Sequence, residues 1–200
     1  MPPASRPWRA VIVHGYGATP ADHWFAWLGQ RLQAAGVSAH IPALPDSLQP
    51  DFAHWQQALA DAVGMPDART LLVAHSLGCI SLLHYLSAER PQQVGGVVLV
   101  SGFGARLPQL PAINGFDVDA YVDQARLDVP ALRAMTGQMH HVISANDGIV
   151  APAASRALAV QLGGQVHEVP RGGHFLASDG FTQLPAAWSA AQTVIRGGQL

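Results

Sequence analysis

Residues 69–83, RTLLVAHSLGCISLL, leave few folds open to this chain. Arg69 to Ala74 is a short apolar run with β-branched content, preceded by the turn residues Met65-Pro66-Asp67, and it suits a strand buried on both faces. After Ser76 the apolar residues recur at Leu77, Ile80, Leu83 and Leu86, the three-to-four spacing of a helix. A strand that passes through one serine into a helix belongs to a layered α/β arrangement. The serine then stands at the edge of the sheet, where a hydroxyl can meet a ligand.

The rest of the chain repeats this alternation. Strand-like runs cover Trp8 to His14, Val37 to Ile41, Arg69 to Ala74, Gly96 to Ser101, His140 to Ala145 and Gln165 to Val169. A first helix is expected to begin at Thr19-Pro20-Ala21-Asp22, a hydroxyl cap with proline at the first position and a carboxylate three residues on. Its apolar face would be Trp24, Trp27, Leu28 and Leu32, and Gly36 would end it. A second helix uses Phe52, Trp55, Leu59 and Val63, and further helices are expected over Pro152 to Leu162 and around Trp188 to Ile195. The alternation predicts an α/β fold with about six strands in a mainly parallel sheet and helices on both faces.

With 49% apolar residues in 200, the chain can bury one good core, so 1–200 reads as a single domain. Residues 104–139, where Pro, Asp and Asn interrupt a weak helical pattern, read as an insert over the active site. Ligands of such sheets bind beyond the strand C-termini, and His14-Gly15, Ser76, Ser101 and Asp147 all fall there.

Composition removes several functions. The formal charge is −2 and the arginines are scattered singly, with no lysine, so no nucleic-acid partner is expected. No apolar stretch reaches the length of a membrane span, and the four-residue run near the N-terminus is too short for a signal-peptide core, so a cytoplasmic protein is expected. The one cysteine, Cys79, has no disulfide partner and falls on the helix after Ser76. Among ten histidines there is no HExxH, and His140 and His141 are neighbours in a strand, pointing to opposite faces. No metal is expected, and without a GxGxxG or Walker sequence no nucleotide cofactor either.

Ala74-His75-Ser76-Leu77-Gly78 is one methyl from the G-x-S-x-G elbow that exposes a nucleophilic serine; Ser81 and Ser101 are weaker candidates. A serine hydroxyl needs a base, and the chain order on this kind of sheet is serine, acid, histidine. His174, in Arg171-Gly-Gly-His174-Phe175, fits the base, because it lies in a flexible turn after a strand, whereas His167 is held inside a strand. Asp147 fits the acid at the end of the preceding strand, ahead of Asp179, which breaks the order, and of Asp117, Asp119 and Asp123 in the insert. Asn146-Asp147-Gly148 is also an ordinary turn sequence. Donors for a developing oxyanion are expected from the amides of Leu77 and Tyr16, with Gly15 as the alternative to Tyr16. His14 reads as a brace for that loop, and Tyr16 as a further pocket residue. Trp24, Phe103 and Phe175 are the expected substrate pocket, with Phe116 and Phe181 as further candidates, although large aromatics are first of all core material.

The segments HGYGATPADHWFAWL, VAHSLGC, SANDGIVAP and GGHFLASDGF, in that order, resemble the small serine hydrolases related to retinoblastoma-binding protein nine and YdeN, a compact branch of the α/β-hydrolase superfamily. The likeness spans nearly the whole chain and is weakest across 104–139. It implies a compact α/β-hydrolase fold with a minimal cap, Ser76, Asp147 and His174 as the triad, and oxyanion donors near Tyr16 and Leu77. It implies a small-molecule ester, or in some members an amide or peptide-like bond, as substrate. Asp22-His23-Trp24 lies on the active-site side in this likeness, but reads first as a helix N-terminus with core aromatics. Retinoblastoma binding does not carry over, since Leu77-Gly78-Cys79-Ile80-Ser81 has serine where the leucine-x-cysteine-x-glutamate motif needs an acid. The rival reading is a catalytically idle binding protein on the same fold; oligomeric state stays open.

Overall fold

The computed structural model describes residues 7–198. In chain order the strands are β1 (Arg9–Val13), β2 (Ser38–His40), β3 (Thr70–His75), β4 (Gly96–Val100), β5 (Ala112–Ile113), β6 (Phe116–Asp117), β7 (Met139–Ser144) and β8 (Gln165–Val169). The helices are α1 (Phe25–Ala34), α2 (Phe52–Val63), α3 (Leu77–Glu89), α4 (Val118–Val122), α5 (Val129–Met135), α6 (Pro152–Leu162) and α7 (Pro185–Gly197).

Six strands form one sheet in the order β2-β1-β3-β4-β7-β8, with every pair parallel. The central strands β3, β4 and β7 are buried at every residue, which is why β3 and β4 read as nearly continuous apolar runs, while β8 at the edge is mostly open to solvent. Helices α1 and α7 cover one face, against Ala10, Ile12, Leu71, Val73, Val98 and Val100. Helices α2, α3, α5 and α6 cover the other, against Val11, Val13, Leu72, Ala74, Val97 and Leu99. Alternate residues of each strand thus feed two separate cores. The chain leaves β1 for β2 on one side and returns to β3 on the other, so the loops after β1 and β3 diverge at the position where such sheets hold ligands.

Two local expectations need correction. The first helix does not begin at Thr19. The Thr19 amide and hydroxyl both donate to Asp22 Oδ2, at 2.7 and 2.8 Å, and close a separate turn; His23 then takes a left-handed φ of 53°. That residue interrupts any continuous helix, and α1 starts at Phe25 without a side-chain cap. The hydroxyl and carboxylate that look like a capping pair are satisfied by one another.

The second concerns 104–139. In its first part Leu107, Leu110, Ile113 and Phe116 line one cavity with Ser76, and β5 and β6 form a hairpin whose tip, Asn114-Gly115, has φ of 48° and 81° at its two central positions, the two-residue turn that matches strand twist. Its last part is framework instead. Asp128 accepts from the Ala131 amide and Pro130 sits in the first turn of α5, whose Leu132 and Met135 are buried in the α3/α6 core. The Pro and Asp that interrupt one pattern start this helix.

Candidate active site

Ser76 stands between β3 and α3 with φ 53° and ψ −124°, a backbone region that a residue with a β-carbon adopts only under constraint. Its amide donates to the Val100 carbonyl at 2.9 Å, so the turn is tied to the neighbouring strand. Close packing holds the rest. A β-carbon on Gly78 would lie 2.4 Å from the His14 carbonyl oxygen, and one on Gly15 would lie 2.9 Å from the His75 oxygen. Small residues here let the loop after β1 lie directly on the turn.

A continuous hydrogen-bonded chain runs from this serine. The Ser76 hydroxyl is 2.9 Å from His174 Nε2, and His174 Nδ1 is 2.9 and 3.1 Å from the two oxygens of Asp147. An ionised Asp147 accepts the Nδ1 proton, which leaves Nε2 of the neutral ring free to accept from Ser76. All three residues are buried. Asp147 also accepts from the Ser101 hydroxyl at 2.7 Å and from the amides of Ile149 and Val150 at 2.9 and 3.0 Å. Burial pushes its carboxyl up, but the bond and charge of His174, with the bonds from Ser101 and Ile149, outweigh this and hold it below the usual carboxylate range. Asp147 is both turn residue and acid partner, because its side chain is large enough in acceptors for both.

The loop carrying His174 is fastened at several points. Asp179 Oδ2 accepts from the amides of His174 and Leu176 at 2.8 and 3.1 Å. Gly172 and Gly173 donate to Ser144 Oγ and Asn146 Oδ1 at 3.1 and 2.9 Å. From below, His75 Nε2 donates to the His174 carbonyl at 2.9 Å, with ring centroids 4.9 Å apart. Burial lowers the His75 pKa well below its ordinary value, helped by its neighbour His174, so this brace is a neutral ring.

Donor groups face the serine from the other side. His14 is buried and neutral, its pKa lowered by burial; its Nδ1 donates to the Gly15 carbonyl at 2.9 Å and its Nε2 accepts from the Leu44 amide at 3.0 Å. In a trans peptide the carbonyl and the following amide point in opposite directions, so drawing the Gly15 oxygen back turns the Tyr16 N–H away from His14. Neither this amide nor that of Leu77, at the start of α3, has a carbonyl partner among the described residues. Two free N–H groups flanking a serine suit an anion that forms there.

Ser76 and His174 open on a cavity of about 310 Å³ with mainly apolar walls. Phe103, Leu107, Leu110, Ile113, Phe116 and Val150 line it, and the Tyr16 ring stacks on Phe116 at 5.4 Å. The hairpin and the approach to it thus form one wall. Among the described residues no three His, Cys, Asp or Glu side chains gather in a way that could hold a metal ion.

The sequence profile of the Serine hydrolase family matches residues 10–192. The chain belongs to the serine hydrolase family. It is 39% identical to the Bacillus subtilis (strain 168) protein YdeN over 181 residues, 90% of this chain and 92% of that one. The crystal structure of the B. subtilis ydeN gene product superposes with a TM-score of 0.86 at 35% identity, covering 94% of this chain and 99% of that one. Est1E from Butyrivibrio proteoclasticus shares the fold, with a TM-score of 0.69 at 16% identity over 96% of this chain and 87% of its own. The compact α/β-hydrolase fold expected from the resemblance is the one observed.

In this serine hydrolase the structure brings Ser76, Asp147 and His174 together, and sets Tyr16 and Leu77 beside them. The competing residues are engaged elsewhere. Ser81 donates to the Leu77 carbonyl and meets the Tyr121 hydroxyl, Ser101 serves Asp147, and His167 pairs with His140. Burial pushes the Cys79 thiol far up, away from reactivity. Asp119 and Asp123 pair with Arg106 on the surface, and Asp117 caps α4.

The expected pocket is corrected in two of three places. Phe103 lines the cavity, but Trp24 and Phe175 do not. Trp24 packs edge-on against Phe25 and His75, and Phe175 against Phe181, in the core under α1 and α7. The apolar lining of the cavity, Phe103, Leu107, Phe116 and Val150, belongs instead to the core on the other face of the sheet. Not foreseen from the sequence are the lining residues Leu107, Leu110, Ile113 and Val150 and, among polar ones, His23, which reads there as part of a helix start; its signal is the His placed between Asp22 and Trp24.

Proposed function

We propose that this serine hydrolase cleaves small carboxylic esters, with amides as a secondary class, through an acyl-enzyme on Ser76. The reading rests above all on the unbroken hydrogen-bonded chain Ser76–His174–Asp147 facing an apolar cavity. Ser76 Oγ attacks the carbonyl while His174 Nε2 takes its proton, and the carbonyl oxygen gains negative charge between the Tyr16 and Leu77 amides. Collapse expels the alcohol, which takes its proton from His174; water then repeats the sequence and frees the acid. Asp147 holds the ring and stabilises its cationic form. The acyl chain occupies the cavity bounded by Phe103, Leu107 and Phe116. No cofactor, metal or nucleic acid takes part. A cytoplasmic setting belongs to the same proposal; among the described residues no helix is long and apolar enough to cross a membrane.

The idle-binder alternative is opposed by the left-handed Ser76 backbone and two unspent amides, features that a binding cleft has no need to retain. The test is a fluorophosphonate probe followed by intact mass, with a panel of esters of graded acyl length. One adduct, absent in Ser76→Ala, and turnover that peaks at a defined chain length are expected. Ester turnover retained by Ser76→Ala, or no adduct on the wild type, overturns the proposal.

A further inference from the structure

The catalytic chain leaves one cavity residue unexplained. His23 lies in the short gap between the Thr19–Asp22 turn and α1, and its left-handed φ of 53° swings the side chain out of line with the helix. The ring lines the cavity together with Ser76, His75 and His174. It is seated on both sides, with its centroid 5.4 Å from Phe25 and 6.0 Å from His75. Its Nδ1 accepts the Ala177 amide at 3.0 Å, three residues after His174 on the same loop.

That bond decides the tautomer. An Nδ1 that accepts carries no proton, so the neutral ring holds its one hydrogen on Nε2. Burial lowers the His23 pKa, which keeps the ring neutral near pH 7. Nε2 has no hydrogen-bond partner among the described residues, and it is not among their sealed, unpartnered polar atoms, so this donor remains accessible. Its place relative to the chemistry follows from the loop. His174 must hand its proton to the departing oxygen, and His23 lines the same cavity and is pinned to the segment that carries His174, which places it to meet the leaving group. The acyl wall of Phe103, Leu107, Phe116 and Val150 offers no donor of its own.

We propose that His23 is a specificity-determining residue whose Nε2–H donates to an oxygen on the alcohol half of the substrate, so that esters of glycol or glycerol type are preferred over plain alkyl esters. The inference rests on the ester-hydrolase reading above. An oxygen one or two carbons beyond the ester oxygen satisfies the donor, whereas an alkyl chain there leaves it unpaired in a partly closed site.

Butyl butyrate and 2-methoxyethyl butyrate differ only by CH2 against O in the alcohol half, and their kcat/KM ratio measures the contact. The ratio, methoxyethyl over butyl, should fall about tenfold from the wild type to His23→Phe, and His23→Gln, which keeps a donor, should recover part of it. His23→Asn tolerates the left-handed backbone but falls short in reach; it should behave like His23→Phe and carries the comparison if that variant does not fold. A ratio that stays within about twofold across wild type, Phe and Asn variants overturns the assignment of His23 while leaving ester hydrolysis intact. Absence of turnover on both esters by the wild type overturns the hydrolase reading and this inference with it.

Discussion

Two groups of histidines sit against the sheet, and they do different things. At the C-terminal edge, His174 lies between a carboxylate and a hydroxyl, while His14 and His75 donate to backbone carbonyls. Near the start of β7, His140 Nδ1 and His167 Nε2 are 2.9 Å apart with the rings stacked, and His141 donates to the Gly163 carbonyl. Among the described residues no carboxylate balances this second group in its hydrogen bonds. Burial lowers the pKa of His140 to about 4, with His167 and His141 adding to the effect, and burial lowers those of His141 and His167 too. Of these histidines, His174 has a carboxylate at Nδ1 and so suits the proton cycle proposed above, whereas His14 and His75 on backbone carbonyls, and His140 and His167 on one another, resist a proton. Partner chemistry, rather than burial, separates a base from a filler.

The sharpest break in this comparison is Ser76→Ala, which removes the group that His174 serves. Turnover of a butyrate ester should fall about 10⁶-fold with the melting temperature close to wild type, as read by steady-state kinetics and calorimetry. Asp147→Asn comes next. Without an acidic acceptor at Nδ1 the wrong tautomer is favoured, and kcat should drop about 10⁴-fold in a protein with unchanged circular dichroism. Asp123→Asn, on the surface pair with Arg106, should stay within about twofold. Near-native kcat in folded Asp147→Asn would remove the carboxylate from the site.

A smaller effect is expected at Asp179. Asp179→Ala frees the amides of His174 and Leu176 and should lower kcat about tenfold by misplacing the ring, while Asp179→Asn keeps an oxygen acceptor and most activity. Equal loss in both variants would give the charge, not the brace, the role.

The smallest effect concerns acid stability and the second group. His140 has a folded pKa of about 4 against 6.5 unfolded, so the unfolded chain binds more protons between those values. Its contribution is complete above about pH 6.5 and is lost as pH falls toward 4. The double variant His140→Gln, His167→Gln should lose about 3 °C less than wild type in melting temperature between pH 6.5 and 4, with ester turnover at pH 7 within about twofold. An unchanged slope would show that this pair is not a site of acid sensitivity.

Much of this architecture is local in origin, and so it could be read along the chain. Strands β1, β3 and β4 are short apolar runs with turn residues between them, and the Phe52, Trp55, Leu59, Val63 face of α2 is a helical period. The order Ser76, Asp147, His174 is likewise visible, because each residue follows a recognisable strand. What only the tertiary structure decided is where side chains of like composition end up. Phe103 lines the cavity while Trp24 and Phe175 fill the opposite core, since that choice depends on which face of the sheet each segment crosses to. Ser101 as a donor to Asp147, and the Ala177 bond that occupies one nitrogen of His23 and leaves Nε2 accessible, both join residues far apart in sequence. Periodicity records how a segment meets its own neighbours; a hydrogen bond between Ala177 and His23 exists only after the sheet has brought two loops to the same edge.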